Sequence, residues 1–308
     1  MNGDKTNDWV SKMRKLLNAL MISLIIFCLS VAGAEGAGVF ERGIAAFGSG
    51  DYETAFLCFS ELAEKGDAAA TGNLGTMYYR GLGVEQSYEK AEAYYTAAAD
   101  EGNQEAQFNL ALMYHLGTGV EKDYRKAMFY YGMAAEKNNA NALNNLATMF
   151  ENGLGVEPDA EKALEYYLKA AEAGSANALY TIGNQYLKGG LLEQDDQKAA
   201  EYFMKSAEKG FEFAQTNLGT MYYTGRGVEQ SYDKAFEYFS LAAAQGSLTS
   251  MRNLAYMYED GKGVLQDYLK AADLLWNASR MNDPKAEKEL KRLYDEGLIP
   301  GDYKPKQV

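Results

Sequence analysis

Residues 218–246 read LGTMYYTGRGVEQSYDKAFEYFSLAAAQG and contain one complete unit of a pattern that recurs along most of the chain. Residues 74–102 read LGTMYYRGLGVEQSYEKAEAYYTAAADEG, and the two copies begin 144 residues apart, which is four times 36. A fixed period of this length is typical of stacked repeats, each of which is one supersecondary unit. The sequence therefore predicts an all-α domain of 36-residue repeats that buries its core between neighbouring repeats.

Each unit divides into two amphipathic helices, A and B, with a Gly-x-Gly-Val loop between them. The residue after the helix A leucine is always glycine or alanine, as at Gly75, and a small side chain there lets helix B approach closely. Every unit closes on glycine or asparagine, the residues that most readily accept a left-handed conformation after a helix. The closing residues are Gly66, Gly102, Asn138, Gly174, Gly210, Gly246 and Asn282.

The period also predicts the boundaries of the repeats. Six full repeats are expected at residues 67–102, 103–138, 139–174, 175–210, 211–246 and 247–282. A capping hairpin at residues 35–66 precedes them, and a polar capping helix at 283–299 and a disordered tail at 300–308 follow. The fourth repeat carries Gly189-Gly190-Leu191-Leu192 in place of Gly-x-Gly-Val, so its loop should bend differently from the others.

The N-terminal residues differ in composition from the repeats. A basic segment with Lys12, Arg14 and Lys15 precedes an apolar run at residues 16–31 and the small residues 32–34. This order is typical of a secretory signal peptide, which would be residues 1–34 with cleavage near Ala34. A retained N-terminal anchor is the alternative, and either Met1 or Met13 fits as the start. We expect a bacterial protein that is periplasmic or secreted.

The charge and the single histidine exclude several kinds of site. Residues 35–308 contain 26 basic and 41 acidic residues, a net charge of about −15 that repels nucleic acids and anionic lipids. His115 is the only histidine, so neither a multi-histidine metal site nor a histidine-based catalytic dyad is available. We expect no cofactor, no metal and no nucleic acid partner, and membrane contact only through an uncleaved N-terminal segment.

The repeated motif A-x-x-N-L-G-x-x-Y-x-x-G-x-G-V, followed by K-A, Y-Y, A-A and G, resembles the Sel-one-like repeat, a branch of the tetratricopeptide superfamily. The resemblance covers about residues 67–297, and residues 36–66 resemble a tetratricopeptide hairpin with Gly43, Phe47, Ala55 and Phe59 at its packing positions. It implies a right-handed α-solenoid of antiparallel helix pairs whose A helices line a concave surface. It also implies a protein that assembles other proteins, although fold alone does not fix function.

An asparagine recurs just before the helix A leucine, at Asn73, Asn109, Asn145, Asn217 and Asn253. We name these five residues the asparagine ladder. In related tetratricopeptide grooves an asparagine at this position holds the backbone of an extended peptide, which an amide can do because it both donates and accepts hydrogen bonds. The alternative is that each amide ties adjacent repeats together and contacts no ligand.

Other residues expected on the concave face vary between repeats, as specificity-determining positions do. The candidates for partner contacts are Tyr79, His115, Tyr223, Phe108, Tyr180 and Arg252. A methionine stripe at Met77, Met113, Met149, Met221 and Met257 is expected to fill the core and not to bind a metal.

Two Ser-x-x-Lys matches raise the question of catalysis, because penicillin-recognising hydrolases share this motif. Ser87 and Ser231 carry it, but aspartate stands at the same position in the other repeats, as at Asp159. Serine alternating with aspartate at the start of a helix is an N-cap pattern, and aspartate cannot replace a nucleophilic serine. We therefore expect no enzymatic activity.

The sequence thus favours a monomeric, exported, non-enzymatic scaffold that binds protein or peptide partners in its concave groove. Two alternatives remain open at this level. One is a cysteine-poor relative of the β-lactamase-like, peptidoglycan-directed hydrolases with similar repeats. The other is a regulatory subunit of a membrane or quality-control complex.

Overall fold

A computed structural model describes residues 38–306, and this part of the chain forms fifteen helices and no strand. The first helix, α1, covers residues 38–49. The others are α2 Tyr52–Glu64, α3 Ala68–Arg80, α4 Tyr88–Asp100, α5 Gln104–Leu116, α6 Tyr124–Glu136, α7 Ala140–Asn152, α8 Ala160–Glu172, α9 Ala176–Lys188, α10 Asp196–Glu208, α11 Glu212–Thr224, α12 Tyr232–Ala244, α13 Leu248–Asp260, α14 Tyr268–Arg280 and α15 Pro284–Asp295.

The described residues divide into two compact units, unit 1 before and unit 2 after the boundary between residues 133 and 134. In unit 1, α2 packs on α3, α3 on α4 and α4 on α5. In unit 2, α7 through α15 pack in the same way, each helix on the next along the chain. These contacts between consecutive helices confirm the predicted α-solenoid of helix pairs.

Side-chain caps decide where the helices begin. The Ser87 hydroxyl accepts a hydrogen bond from the Lys90 amide at 3.3 Å, and the Asp159 carboxylate accepts one from the Lys162 amide at 3.0 Å. Each such cap satisfies one of the amide groups that the first turn of a helix leaves without a partner. Phe211 is an exception, because it stands at the N-cap of α11 and makes no side-chain cap bond.

Left-handed residues end the helices, as predicted from the closing glycines and asparagines. Asn138 and Asn282 have φ of 59° and 65°. At the loops of five repeats two amides bond back onto the helix, as Gly117 and Thr118 do to the Met113 carbonyl at 2.8 and 3.1 Å.

The fourth-repeat loop bends differently, as expected. Gly189 has ψ of 170° instead of the 21–40° found at the five left-handed C-caps. Its amide bonds to the Gln185 carbonyl at 3.0 Å, but the second bond that the other loops make has no counterpart at Gly190 within residues 38–306.

The core of each unit comes from aromatic rings packed against small residues. A Cβ at Gly75 would lie 2.6 Å from the Tyr95 ring, and one at Gly219 would lie 2.7 Å from the Phe239 ring, so the close approach predicted for these positions is confirmed. The methionine stripe is buried, with exposed fractions of 0–3%. It fills the core, as predicted. Cys58 is buried and free.

The C-terminal segment departs from its predicted disorder. Ile299 is buried, and the Tyr303 hydroxyl donates to Asp273 at 2.8 Å. The backbone amide of Lys306 donates to the same carboxylate at 2.6 Å. Residues 300–306 therefore lie against α14 and α15, because one tyrosine and one aspartate 30 residues apart hold them there.

Two terminal predictions concern residues without a structural description. The signal peptide at residues 1–34 and the last two residues of the predicted tail lie outside residues 38–306. Among the helices that are described, none has the length and apolar character that crossing a bilayer demands.

Candidate partner-binding surface on the A helices

The asparagine ladder lies on the A helices with its side chains half-buried. Asn73 and Asn109 belong to unit 1, and Asn145, Asn217 and Asn253 belong to unit 2. Each stands one residue before a buried leucine, at the edge of the core. None of the five amides hydrogen-bonds to another residue within 38–306.

The alternative role for the asparagine ladder was to tie adjacent repeats together. In two places a glutamine amide makes such a hydrogen bond between repeats. Gln107 Nε2 donates to the Ala99 carbonyl at 3.0 Å, and Gln215 Nε2 donates to the Ala207 carbonyl at 3.4 Å. Both glutamines are buried and stand two residues before a ladder asparagine. The sequence alone does not single out these two glutamines, because the other repeats do not keep a glutamine at this position.

Unit 1 has a cavity of about 190 Å³ between α3, α4 and α5. Its walls are Thr76, Tyr79, Arg80, Tyr95, Asn109 and Leu112. Two of the predicted contact residues, Tyr79 and Asn109, therefore line one cavity. The Tyr95 hydroxyl donates to Thr76 at 3.0 Å, whereas the Asn109 amide and the Arg80 guanidinium make no side-chain hydrogen bond within residues 38–306.

Unit 2 has an equivalent cavity of about 140 Å³ between α11, α12 and α13. It is lined by Thr220, Tyr223, Phe239, Asn253 and Tyr256. Each of these residues is 144 positions after its counterpart in unit 1, so the two cavities belong to the same place in the repeat. The predicted contact residues Tyr223 and Asn253 lie together here.

Tyr79 and Tyr223 are held in place by the start of helix B. The Tyr79 ring meets the Tyr88 ring edge-on at 5.3 Å between centroids, and the Tyr223 ring meets Tyr232 at 5.2 Å. Gln86 Nε2 bridges the first pair, since it donates to the Tyr79 carbonyl at 2.8 Å and to the Tyr88 hydroxyl at 3.1 Å. Gln230 repeats this bridge for Tyr223 and Tyr232. Each glutamine directly precedes its Ser-Tyr pair, which is the sequence signal for the bridge.

His115 stands at the same position of the second repeat as Tyr79 does in the first. Its ring meets Tyr124 edge-on at 5.5 Å, and its buried Nδ1 has no hydrogen-bond partner among the residues described. Burial lowers the pKa of His115 below its ordinary value, and the charge of Lys122 lowers it further. The neutral imidazole is therefore the favoured form at pH 7.

The remaining predicted contact residues have partners inside their own unit. Phe108 packs on Tyr131 at 5.7 Å between ring centroids. Arg252 forms an ion pair with the buried carboxylate of Asp283. Tyr180 packs on Phe203 at 5.7 Å and on Phe211 at 5.2 Å. The structure therefore does not bring these three into the cavities.

Ser87 and Ser231 cap helices, and the lysines of their Ser-x-x-Lys motifs lie elsewhere. The Lys90 ammonium is 5.0 Å from the centroid of the Tyr78 ring, and Lys234 holds the same place over Tyr222. Each serine hydroxyl accepts from the backbone amide of its lysine, and within the described chain neither lysine ammonium hydrogen-bonds to the serine. No group of acidic, histidine or cysteine side chains able to hold a metal is found within residues 38–306.

Seven consecutive segments match the family model described as Sel1 repeat, at residues 37–67, 68–103, 104–139, 140–175, 176–211, 213–247 and 248–283. The chain belongs to the Sel1 repeat family. These segments begin one or two residues after the predicted boundaries and count the N-terminal hairpin as a repeat of its own. Members of this family are generally protein-interaction modules without catalytic activity.

Two solved structures resemble this Sel1 repeat protein. One is c5321, described as a protective antigen of uropathogenic Escherichia coli strains with an SLR fold, at 32% identity and a TM-score of 0.75. The match covers 87% of this chain but only 58% of c5321, so the chain spans little more than half of that protein. The other is a Sel1 repeat protein from Oxalobacter formigenes, at 32% identity and a TM-score of 0.67, covering 78% of this chain and 96% of that one. No curated protein matches the chain.

Proposed function

We propose that the protein is a non-enzymatic scaffold that binds an extended segment of a protein partner on the A helices of each unit. The observation that carries the proposal is the asparagine ladder, whose half-buried amides make no hydrogen bond within residues 38–306. In two places such an amide lines a cavity beside a tyrosine held rigidly by helix B.

An extended peptide can supply the hydrogen-bond partners that the amides of the asparagine ladder lack within residues 38–306. Its backbone presents one donor and one acceptor per residue, and an asparagine amide can pair with both. The cavities of about 140 and 190 Å³ have three and two aromatic rings in their walls, respectively, and each suits one partner side chain. Backbone pairing of this kind gives affinity without reading sequence, so specificity comes from the cavities.

Export belongs to the same proposal. The basic, apolar and small-residue order of residues 12–34 supports cleavage near Ala34 and a periplasmic or extracellular location. There the protein would act as a monomeric adaptor for the assembly of other proteins. The caps at Ser87 and Ser231 support its lack of catalytic activity, because both hydroxyls serve the backbone.

The test is the binding of a synthetic library of decapeptides with blocked termini to the 308-residue chain. Asn109→Ala and Asn253→Ala remove the amides that line the cavities. We expect each to weaken the binding of its own set of peptides about tenfold, the order expected for one or two buried hydrogen bonds. Asn141→Ala is the matched control, since Asn141 is an exposed asparagine of α7 outside the ladder. Equal binding by all variants would place the partner elsewhere, and no binding at all would count against the proposal.

A further inference from the structure

We infer that the unit 1 cavity selects an acidic side chain of the bound segment, whereas the unit 2 cavity selects an uncharged one. The inference rests on the proposed function and adds the chemical class of the ligand at each cavity. The two cavities occupy the same place in the repeat. The wall residues that they share supply binding of the partner, and the wall residues that differ supply selectivity for its side chain.

The two cavities differ mainly in one charged wall residue. Arg80 lines the unit 1 cavity, and the residue 144 positions later is Thr224. The Arg80 guanidinium makes no ion pair, no cation–π contact and no side-chain hydrogen bond with any residue from 38 to 306. The exposed Arg125 is likewise unpaired within the described residues, but the other five arginines there each have a side-chain partner. Arg226, for example, donates to Asp196 at 2.7 and 2.8 Å.

Arg80 and Asn109 together provide the donors that a carboxylate needs. A guanidinium presents N–H groups in a planar fork that fits the two oxygens of a carboxylate, and an amide NH₂ adds a further donor. Thr76 and Tyr95 are already hydrogen-bonded to each other, so they do not compete for the ligand. Leu112 and Tyr79 supply apolar walls for the methylene groups of a glutamate or aspartate.

The unit 2 cavity lacks the cation and gains a ring. Tyr256 replaces Leu112, so Tyr223, Phe239 and Tyr256 make three aromatic walls around the Asn253 amide. Lys262 contacts the wall residue Tyr223 but is already engaged, because its ammonium donates to the Tyr223 hydroxyl and to Asp260 at 2.9 Å each. An apolar or aromatic side chain of the partner fits these walls best.

The test uses library decapeptides whose binding depends on Asn109, each synthesised in two forms that differ by glutamate or glutamine at one position. We expect the wild-type chain to prefer the glutamate form about fivefold, the upper range for a partly exposed ion pair. Arg80→Gln should abolish this preference while both forms still bind. Arg125→Gln removes an exposed arginine of α6 and controls for the change in net charge.

A second variant transfers the selectivity. Thr224→Arg places a guanidinium at the same position of unit 2, and peptides that depend on Asn253 should acquire a glutamate preference that falls as salt rises. A glutamate preference that survives Arg80→Gln, or its absence in the wild type, would refute the inference while leaving peptide binding intact. Failure of every peptide to bind would refute the proposed function as well.

Discussion

A single lysine in each repeat lies over the ring of helix A in the same place. Lys90, Lys126 and Lys162 lie 4.6–5.5 Å from the centroids of Tyr78, Tyr114 and Phe150. The three later repeats keep the arrangement with Lys198, Lys234 and Lys270. The Lys-Ala pair of the motif is therefore explained by packing, since the alanine is buried under helix A and the ammonium covers the ring.

The serine caps give a direct test against hydrolytic activity. Ser87→Asp should keep the free energy of unfolding, because aspartate caps the same helix position at Asp159 and Asp195. Ser87→Ala should lower it by about 1 kcal/mol. Urea unfolding measures both, and a chromogenic β-lactam assay should show no turnover for the wild type. Turnover that disappears in both variants would instead make Ser87 a nucleophile.

His115 predicts a pH dependence that can be read without resonance assignment, since it is the only histidine. Burial and Lys122 lower its pKa below 6.5 in the folded chain. The native state therefore prefers the neutral ring, and its contribution to stability is present above pH 6.5 and lost as pH falls through the lower folded pKa. The imidazole proton signal in NMR should titrate with a midpoint below 6.5.

His115→Gln should flatten the dependence of unfolding free energy on pH in that window, down to about pH 5 where carboxylates begin to titrate. His115→Gln keeps a planar polar side chain, so it separates the loss of titration from the loss of volume. A midpoint at or above the ordinary histidine value would contradict the buried environment described for the ring.

At the scale of elements, the loop of the fourth repeat lacks, within residues 38–306, the second backbone hydrogen bond that the other loops make to helix A. Gly190 has φ of 142°, a backbone angle that residues other than glycine rarely adopt. Leu191 stands where the other loops have their second glycine. In those loops that glycine lies close against the start of the preceding helix B, as Gly263 does on Tyr232.

Restoring the usual loop should stabilise unit 2. The triple change Gly190→Leu, Leu191→Gly and Leu192→Val recreates Gly-x-Gly-Val, and we expect a gain of about 0.5–1 kcal/mol from the recovered hydrogen bond. Gly190→Leu alone should destabilise, because leucine cannot keep the present φ. The urea midpoint and hydrogen exchange of the residue 190 amide measure both. A lower midpoint for the triple variant would mean that the irregular loop is the better fit.

The helix caps and closing residues of these elements could be predicted from the sequence, because they depend only on neighbours within one repeat. Caps such as Ser87 and closing residues such as Asn138 follow from helix chemistry alone. The pairing of Arg252 with Asp283 could not, since it joins residues 31 apart and breaks the repeat pattern. The docking of Tyr303 on Asp273 was missed for the same reason, and the cavities depend on where four or more side chains leave space.

At the scale of the whole molecule, the net charge bears on the partners that the proposed function allows. Residues 38–306 contain 26 basic and 40 acidic residues, so the part of the chain that the structure describes carries most of the negative charge. Such a surface favours partners that carry positive or neutral surfaces around their binding segment.

The proposed export predicts a defined N-terminus for the mature protein. N-terminal sequencing of protein recovered from the periplasm or medium of a bacterial host should begin at Glu35. Ala34→Leu together with Ala32→Leu places large residues where small ones are required, and it should leave the precursor uncleaved in the membrane fraction. Ala37→Leu controls for added bulk near the site. Recovery of the full-length wild type in the membrane fraction would favour the retained anchor.

The second glycine of four loops gives the chain a direction of assembly. Gly83 lies against Tyr52, Gly119 against Tyr88, Gly227 against Asp196 and Gly263 against Tyr232, so in these loops the support belongs to the helix B that comes earlier in the chain. Ribosomes deliver the N-terminal residues first. Within each unit, the helix B against which a loop packs has therefore already been synthesised when that loop leaves the ribosome. Folding can proceed during synthesis, in the order of translation.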